Sequence, residues 1–253
     1  MDPILFFLVF FVVSAVIGIV TVIAGVGGGV VFTPLVLGFT SVDSHIVRAT
    51  GLFVALIGAL IAARPFLKRG LANMRLLLWA AGPYAVCCFA GAILAGYVKD
   101  TYGDTGEAAL RGALGLIVIG IAVLYMCGGK KSDHPDVNNV SKFTESLGLP
   151  MSYHEDSLGR MVHYKVKRAG ISIVLFCIVG LVSGFFGLGA GWAMVPVFNL
   201  VMLLPLKAAA ASARVFIGIG GTAAIWPYAA KGGLIPLFVV PCMVGTVLGS
   251  SFI

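Results

Sequence analysis

The sequence predicts an all-α polytopic membrane protein made of two homologous halves, each opening with a glycine-broken helical hairpin. Three observations carry this. Of 253 residues, 60% are hydrophobic and only 11% charged, with a mean hydropathy of +1.07. Several apolar runs reach the roughly 20 residues that a helix needs to cross a bilayer, and none shows the alternation of a membrane β-barrel. Finally, one pattern occurs twice at a constant offset of 162 residues: Ile17–Pro34 reads IGIVTVIAGVGGGVVFTP, and Val179–Pro196 reads VGLVSGFFGLGAGWAMVP. Gly18, Gly25, Gly27, Gly29 and Pro34 fall on Gly180, Gly187, Gly189, Gly191 and Pro196. The register continues through His45 on Lys207, Ala49-Thr50 on Ala211-Ser212 and Gly58 on Gly220, so the chain is internally duplicated.

Segment A, about residues 3–39, is too long for one ordinary span and carries the Gly25–Gly29 cluster in its interior. Clustered glycine loosens a helix, so A reads as a helix, a break and a shorter helix returning to the same side. Its start lacks a basic n-region and a small-residue cleavage site, so it is expected to be retained. Asp43, His45 and Arg48 mark the boundary to segment B, which ends near Ala63; Arg64, Lys68, Arg69 and Arg75 follow with no acid among them. Segment C, about 74–98, leads to a short acidic loop with Lys99, Asp100, Asp104 and Glu107, and segment D, about 108–127, returns. Residues 128–168 alone have soluble character. There, 151–155 and 161–166 flank Asp156-Ser157-Leu158-Gly159 and predict a small β-hairpin. Segments A′ (about 169–204), B′ (about 208–230) and C′ (about 234 onward) repeat the plan without a counterpart of D. The domains expected are a first transmembrane repeat at 1–127, a linker at 128–168 and a second repeat at 169–253.

The net charge of +7 sits in two short stretches between apolar segments. That is the pattern of cytoplasmic loops and of attraction to anionic lipid, not of nucleic-acid binding. The central linker and its hairpin are therefore expected in the cytoplasm. If A turns back, each half holds three full crossings and the halves enter from opposite faces. The result is an inverted repeat with the N-terminus outside. Were A one long span, the halves would be parallel and the N-terminus inside; the glycine break favours inversion.

An inverted pair of broken segments brings two half-helix ends toward the bilayer centre, where transporters of this architecture hold substrate. A half-helix that starts there offers unpaired N–H groups and a partial positive charge, an anion site in kind. The ligands expected are the backbones of Gly27, Gly28, Gly29, Gly189, Ala190 and Gly191. Glycines in this spacing also serve helix packing alone. Arg214 lies about seven residues into B′, and no carboxylate occurs within any predicted span. An ionisable residue at that depth points to function, and a guanidinium suits oxyanions; snorkelling is the alternative. Thr50 and Ser212, related by the repeat, add hydroxyls; Asn199 is a weaker candidate because its repeat mate is apolar. Cys87, Cys88, Cys127, Cys177 and Cys242 form no CxxC pair, and buried cysteine is usually a small hydrophobe. His134, Asp136, His154 and His163 match no metal-ligand spacing. No cofactor or metal is expected.

These residues resemble the TauE/SafE family of sulfite and organosulfonate exporters. The resemblance rests on AGVGGGVVFTP at Ala24–Pro34, SGFFGLGAGWAMVP at Ser183–Pro196, ATGLF at Ala49–Phe53, ASARVF at Ala211–Phe216, and the midpoint loop with Tyr153 and Tyr164. It covers nearly the whole chain. It implies a carrier of small sulfur-containing anions in a prokaryotic inner membrane. Two departures stand out: Ala190 stands where a full glycine triplet is usual in the second motif, and segment D has no counterpart after C′, as expected either of a truncated product or of a protein without that helix.

The reading is a secondary transporter, an exporter of sulfite or sulfonates by alternating exposure of a midplane site, and not an enzyme. Its expected partners are the anion, membrane lipid and a second copy in a homodimer. A small-anion channel and a sulfur-relay protein using Cys87 or Cys88 are the alternatives. An ATP-driven pump is disfavoured because no P-loop occurs.

Overall fold

The computed structural model describes residues 3–24, 27–40, 42–127, 151–155 and 160–251. The helices are Pro3–Ala24 (α1), Gly29–Phe39 (α2), Ser44–Lys68 (α3), Met74–Cys127 (α4), Ala169–Phe186 (α5), Gly191–Pro196 (α6), Leu206–Ala230 (α7) and Pro236–Ser251 (α8). A π-helical turn, Val197–Val201, extends α6. Strands Met151–Glu155 (β1) and Arg160–Tyr164 (β2) pair antiparallel, with Met151 opposite Tyr164. The hairpin thus forms where the alternation placed it. Its turn at 156–159, His134, Asp136 and the side chain of His154 lie outside the described residues. Among the described residues, six helical stretches are long and apolar enough to cross a membrane: Ile4–Thr21, Ser44–Lys68, Met74–Gly103, Thr105–Val123, Ala169–Phe186 and Leu206–Ala230. Their outward faces carry large apolar side chains such as Ile4, Leu78, Val86 and Trp226, as a lipid-facing surface requires. This is an all-α membrane protein.

The helix boundaries have local causes. The Asp43 carboxylate accepts the His45 amide at 2.7 Å and starts α3. His45 and Arg48 therefore belong to α3 and do not mark a boundary, because one capping carboxylate suffices to open the helix. Asn73 caps α4 in the same manner, its Oδ1 accepting the Leu76 amide at 3.1 Å. The acidic loop expected at 99–107 is helical except for Gly103, at φ 52° and ψ −131°. That single residue reverses α4. Lys99 on one arm binds Asp43, and Arg111 on the other donates to the neighbouring Val42 carbonyl at 3.2 Å. Glycine reaches this conformation without the Cβ penalty.

Close contacts fix the direction of each helix. Gly28 lies against Ile17, whereas the Phe32 ring is 6.3 Å from Phe238, itself 4.6 Å from Phe10. Four residues along α2 thus correspond to seven residues back along α1, so α2 returns toward the start of α1. Helices α1 and α8 run parallel, with Gly245 on Phe11 and Gly249 on Ala15. So do α5 and the first arm of α4, with Gly180 on Tyr84 and Gly184 on Cys88. In contrast, α3 and α7 are antiparallel: Leu56 meets Gly221 and Leu60 meets Gly218.

The two ends of the bundle differ in charge. One end has Arg64, Lys68, Arg69 and Arg75 around the α3–α4 connection. The β-hairpin is tied to it by the Asn73 side-chain amide, which donates to the Tyr164 hydroxyl at 3.3 Å. At the other end Lys99 binds Asp43 at 2.6 Å, and Lys231, following α7, binds Asp100.

Candidate anion site at the two helix breaks

The two glycine breaks meet at the crossing of α3 and α7. Gly27 lies against Ala55 and Ile217, and Gly189 lies against the same two side chains. Gly27 and Gly189 are repeat mates, and so are Ala55 and Ile217. Each break therefore meets both members of one equivalent pair. Gly29 packs backbone on backbone: a Cβ there would stand 2.7 Å from both the Gly51 and the Leu188 carbonyl oxygens.

Each break ends one helix and starts another. Gly187, at φ 68°, closes α5, and the Gly187 and Leu188 amides donate to the Ser183 carbonyl at 3.0 and 3.3 Å. The helical ladder then restarts with Met194 N to Ala190 O at 3.0 Å, and in the first copy with Phe32 N to Gly28 O at 3.0 Å. All six expected backbone ligands, Gly27, Gly28, Gly29, Gly189, Ala190 and Gly191, are buried. Two helix starts, each with its partial positive charge, are thus brought into one small volume.

The expected side chains are not gathered there together. Thr50 precedes Ala55 by five residues on α3, and Ser212 precedes Ile217 by five on α7. Because these helices are antiparallel, each hydroxyl lies about 7 Å along its axis from the crossing, on opposite sides. Thr50 Oγ1 is buried with no hydrogen-bond partner among the described residues. Ser212 Oγ accepts the Asn73 amide at 3.2 Å, which joins α7 to the start of α4. Arg214, one turn before Ile217, is 7% exposed, and its guanidinium carbon stands 5.2 Å from the centre of the Phe66 ring. It lies on the Ser212 side. Asn199 donates to the Leu204 carbonyl at 2.8 Å, closing the π turn.

The sequence reading missed Arg48, Thr33 and Tyr228. Among the described residues Arg48 is the largest wholly buried side chain. Its guanidinium donates to the Ser44 and Phe185 carbonyls at 3.1 and 3.3 Å and to Ser44 Oγ at 3.3 Å. One backbone acceptor from its own helix and one from α5 bind this guanidinium, and the second leaves no mark in the sequence. The tyrosine at 228 donates to the Gly184 and Phe185 carbonyls at 2.9 and 3.0 Å. Thr33 donates to the Gly187 carbonyl at 3.0 Å.

Cys87, Cys88, Cys177 and Cys242 are free thiols, and no group of His, Cys, Asp or Glu among the described residues could hold a metal ion. Outside the spans, burial alone would push the Asp43 carboxyl up, but Lys99 and the His45 amide hold it below its usual value.

A protein-family profile described as Sulfite exporter TauE/SafE matches residues 10–252. The chain is also similar to the Probable membrane transporter protein YunE of Bacillus subtilis (strain 168), at 22% identity over 221 residues, covering 83% of this chain and 74% of that protein. No solved structure matches it. With a broken-helix pair at its centre and a profile match along nearly its whole length, the chain belongs to the TauE/SafE family of membrane transporters.

Proposed function

We propose that this transporter moves a small sulfur oxyanion or organosulfonate outward, by alternating exposure of the paired helix starts at Gly27–Gly29 and Gly189–Gly191. The observation that carries the reading is the contact of both breaks with Ala55 and Ile217. It supports a single site with two helix N-termini beside it, suited to an anion. Arg214 contributes charge from one side, and the Thr50 and Ser212 hydroxyls serve opposite mouths. The antiparallel run of the repeat mates α3 and α7 supports an inverted repeat, with units at 1–127 and 169–253 joined by the linker 128–168. The basic end would face the cytoplasm of a prokaryotic inner membrane and the Asp43–Lys99 end the outside.

Sulfite flux in proteoliposomes tests this, comparing the unaltered protein with Arg214→Ala and Arg214→Lys. The expected result is saturable flux with counterflow, lost in Ala and partly kept in Lys. Flux that rises linearly with driving force would mean a channel. No flux of sulfite or any sulfonate would remove the substrate class.

A further inference from the structure

The antiparallel pair α3 and α7 carries a basic side chain against an aromatic ring at each end. At the end with Arg64 and Arg75, the Arg214 guanidinium of α7 lies 5.2 Å from the Phe66 ring of α3. At the Asp43–Lys99 end, the His45 ring of α3 lies 5.0 Å from the Tyr228 ring of α7. Phe66 and Tyr228 are repeat mates, and so are His45 and Lys207. One copy thus carries a permanent cation where the other carries an imidazole, the side chain whose ordinary titration falls near neutral pH.

His45 is 7% exposed, and neither ring nitrogen has a hydrogen-bond partner among the described residues. Only glycine lies over it: a Cβ on Gly233 would fall 2.9 Å from Nε2. The nearby Tyr228 carbonyl accepts the Gly233 amide at 2.9 Å, and the Tyr228 hydroxyl donates to the Gly184 and Phe185 carbonyls. Buried polar atoms left this way are rare and call for a partner. The charges around the ring do not cancel. Lys99 of α4 pairs with Asp43, and Lys231, following α7, pairs with Asp100 of α4. Arg48, one turn on from His45, binds the Ser44 and Phe185 carbonyls and the Ser44 hydroxyl, with no carboxylate partner among the described residues. A proton on His45 would add a second unbalanced positive charge. Such an excess, at a helix start that is itself partly positive, suits a small oxyanion.

We propose that the start of α3 is a second anion station, at the end assigned above to the outside, and that it fills when His45 carries a proton. It rests on the transport reading for the identity of the anion, but not for its first measurement. Protonated, the imidazole donates from a ring nitrogen to a sulfonate or sulfite oxygen beside Arg48. Neutral, it loses that charge and the anion leaves. Proton and anion thus favour each other's binding by the same factor. External acidity then sets how readily the carrier releases what it has moved outward.

Methanesulfonate is the probe, because it keeps one charge near neutral pH and only the protein titrates. Its binding to the full chain in nanodiscs, measured by calorimetry, is expected to be about tenfold tighter at about pH 6 than at about pH 8, the effect of one charge close to the anion. Runs in two buffers of different ionisation enthalpy should show net proton uptake on binding. His45→Asn should keep the weak affinity at both pH values with no proton uptake, and His45→Lys the tight one. His163→Asn, on the hairpin, should behave as the unaltered protein. Binding that is equal at both pH values, or no binding at all, overturns the proposal. So does a pH dependence that survives in His45→Asn. Normal sulfite flux with pH-independent methanesulfonate binding would strike the second station and leave the transport reading. Proton-linked binding without any flux of sulfite or sulfonate would do the reverse.

Discussion

Ala55 and Ile217, equivalent residues of the two copies, each touch both glycine breaks. A side chain that enlarges Ala55 must enter the volume between Gly27 and Gly189, since Ala55 is 1% exposed and a Cβ on Gly189 would stand 2.9 Å from its own. Ala55→Leu is therefore expected to abolish flux at an overpacking cost of about 1–3 kcal/mol. Thermal melting alongside proteoliposome flux checks it. A folded variant with full flux would place the anion elsewhere.

Gly29 makes a sharper prediction because its neighbours are backbone and cannot rotate away. Gly29→Ala should separate α2 from the Gly51 and Leu188 carbonyls, lowering stability and flux together. Gly38, on the same helix, has nothing within 4 Å of a notional Cβ. Gly38→Ala should be neutral or stabilising by up to about 1 kcal/mol through helix propensity. Equal effects from the two substitutions would contradict the backbone contact.

The Asp43–Lys99 pair predicts a pH dependence. The folded carboxyl titrates below its usual value, so the unfolded chain binds the proton first as pH falls. The stabilisation is complete above the ordinary aspartate pKa of about 4 and is lost as pH falls through the folded value. Melting temperature against pH should fall less steeply in Asp43→Asn over that acid window. Coincident curves would show that the pair contributes nothing measurable.

Orientation has a direct test. Lys68 ends α3 and Ala230 ends α7, and both are exposed. In a background whose native cysteines are replaced by serine, Lys68→Cys should be labelled by an impermeant maleimide only from the cytoplasmic side, and Ala230→Cys only from outside. Labelling of both from one side would contradict the bundle geometry.

The sequence carried the hairpins clearly because clustered glycine weakens a helix wherever it interrupts an apolar run; α1, α2 and α5 follow the pattern, whereas the returning helix of the second hairpin passes into a π turn after Pro196, short of the expected end near residue 204. It carried the α4 reversal less well. Four charged residues suggested a loop, but a turn between helices needs only Gly103 outside helical space. The site was legible as backbone and much less so as side chains. Arg48 sits near a helix start with an acid and a histidine nearby, so it resembles a surface charge. Its acceptors are carbonyls 137 residues away on α5 and four residues back on α3. Ser212 passes every composition test for a ligand, yet its oxygen already receives the Asn73 amide. Which polar atoms are engaged is settled by folding partners, and spacing along one chain does not record them.

The parallel pairing of α1 with α8 and of α5 with the first arm of α4 has a consequence for how the protein is made. Each half's opening helix is covered by the third helix of the other half, so neither half buries its own first segment. Phe11 meets Gly245 only after both halves have left the ribosome. Until then the small-residue face of α1 must be sheltered by lipid or an insertase, and the break behind it has Ala55 and Gly51 of its own half to close on but not Ile217 and Leu188. Assembly is then a late, single event that joins both halves at once. Two separately synthesised fragments, cut in the linker, should gain structure only when they meet in one membrane.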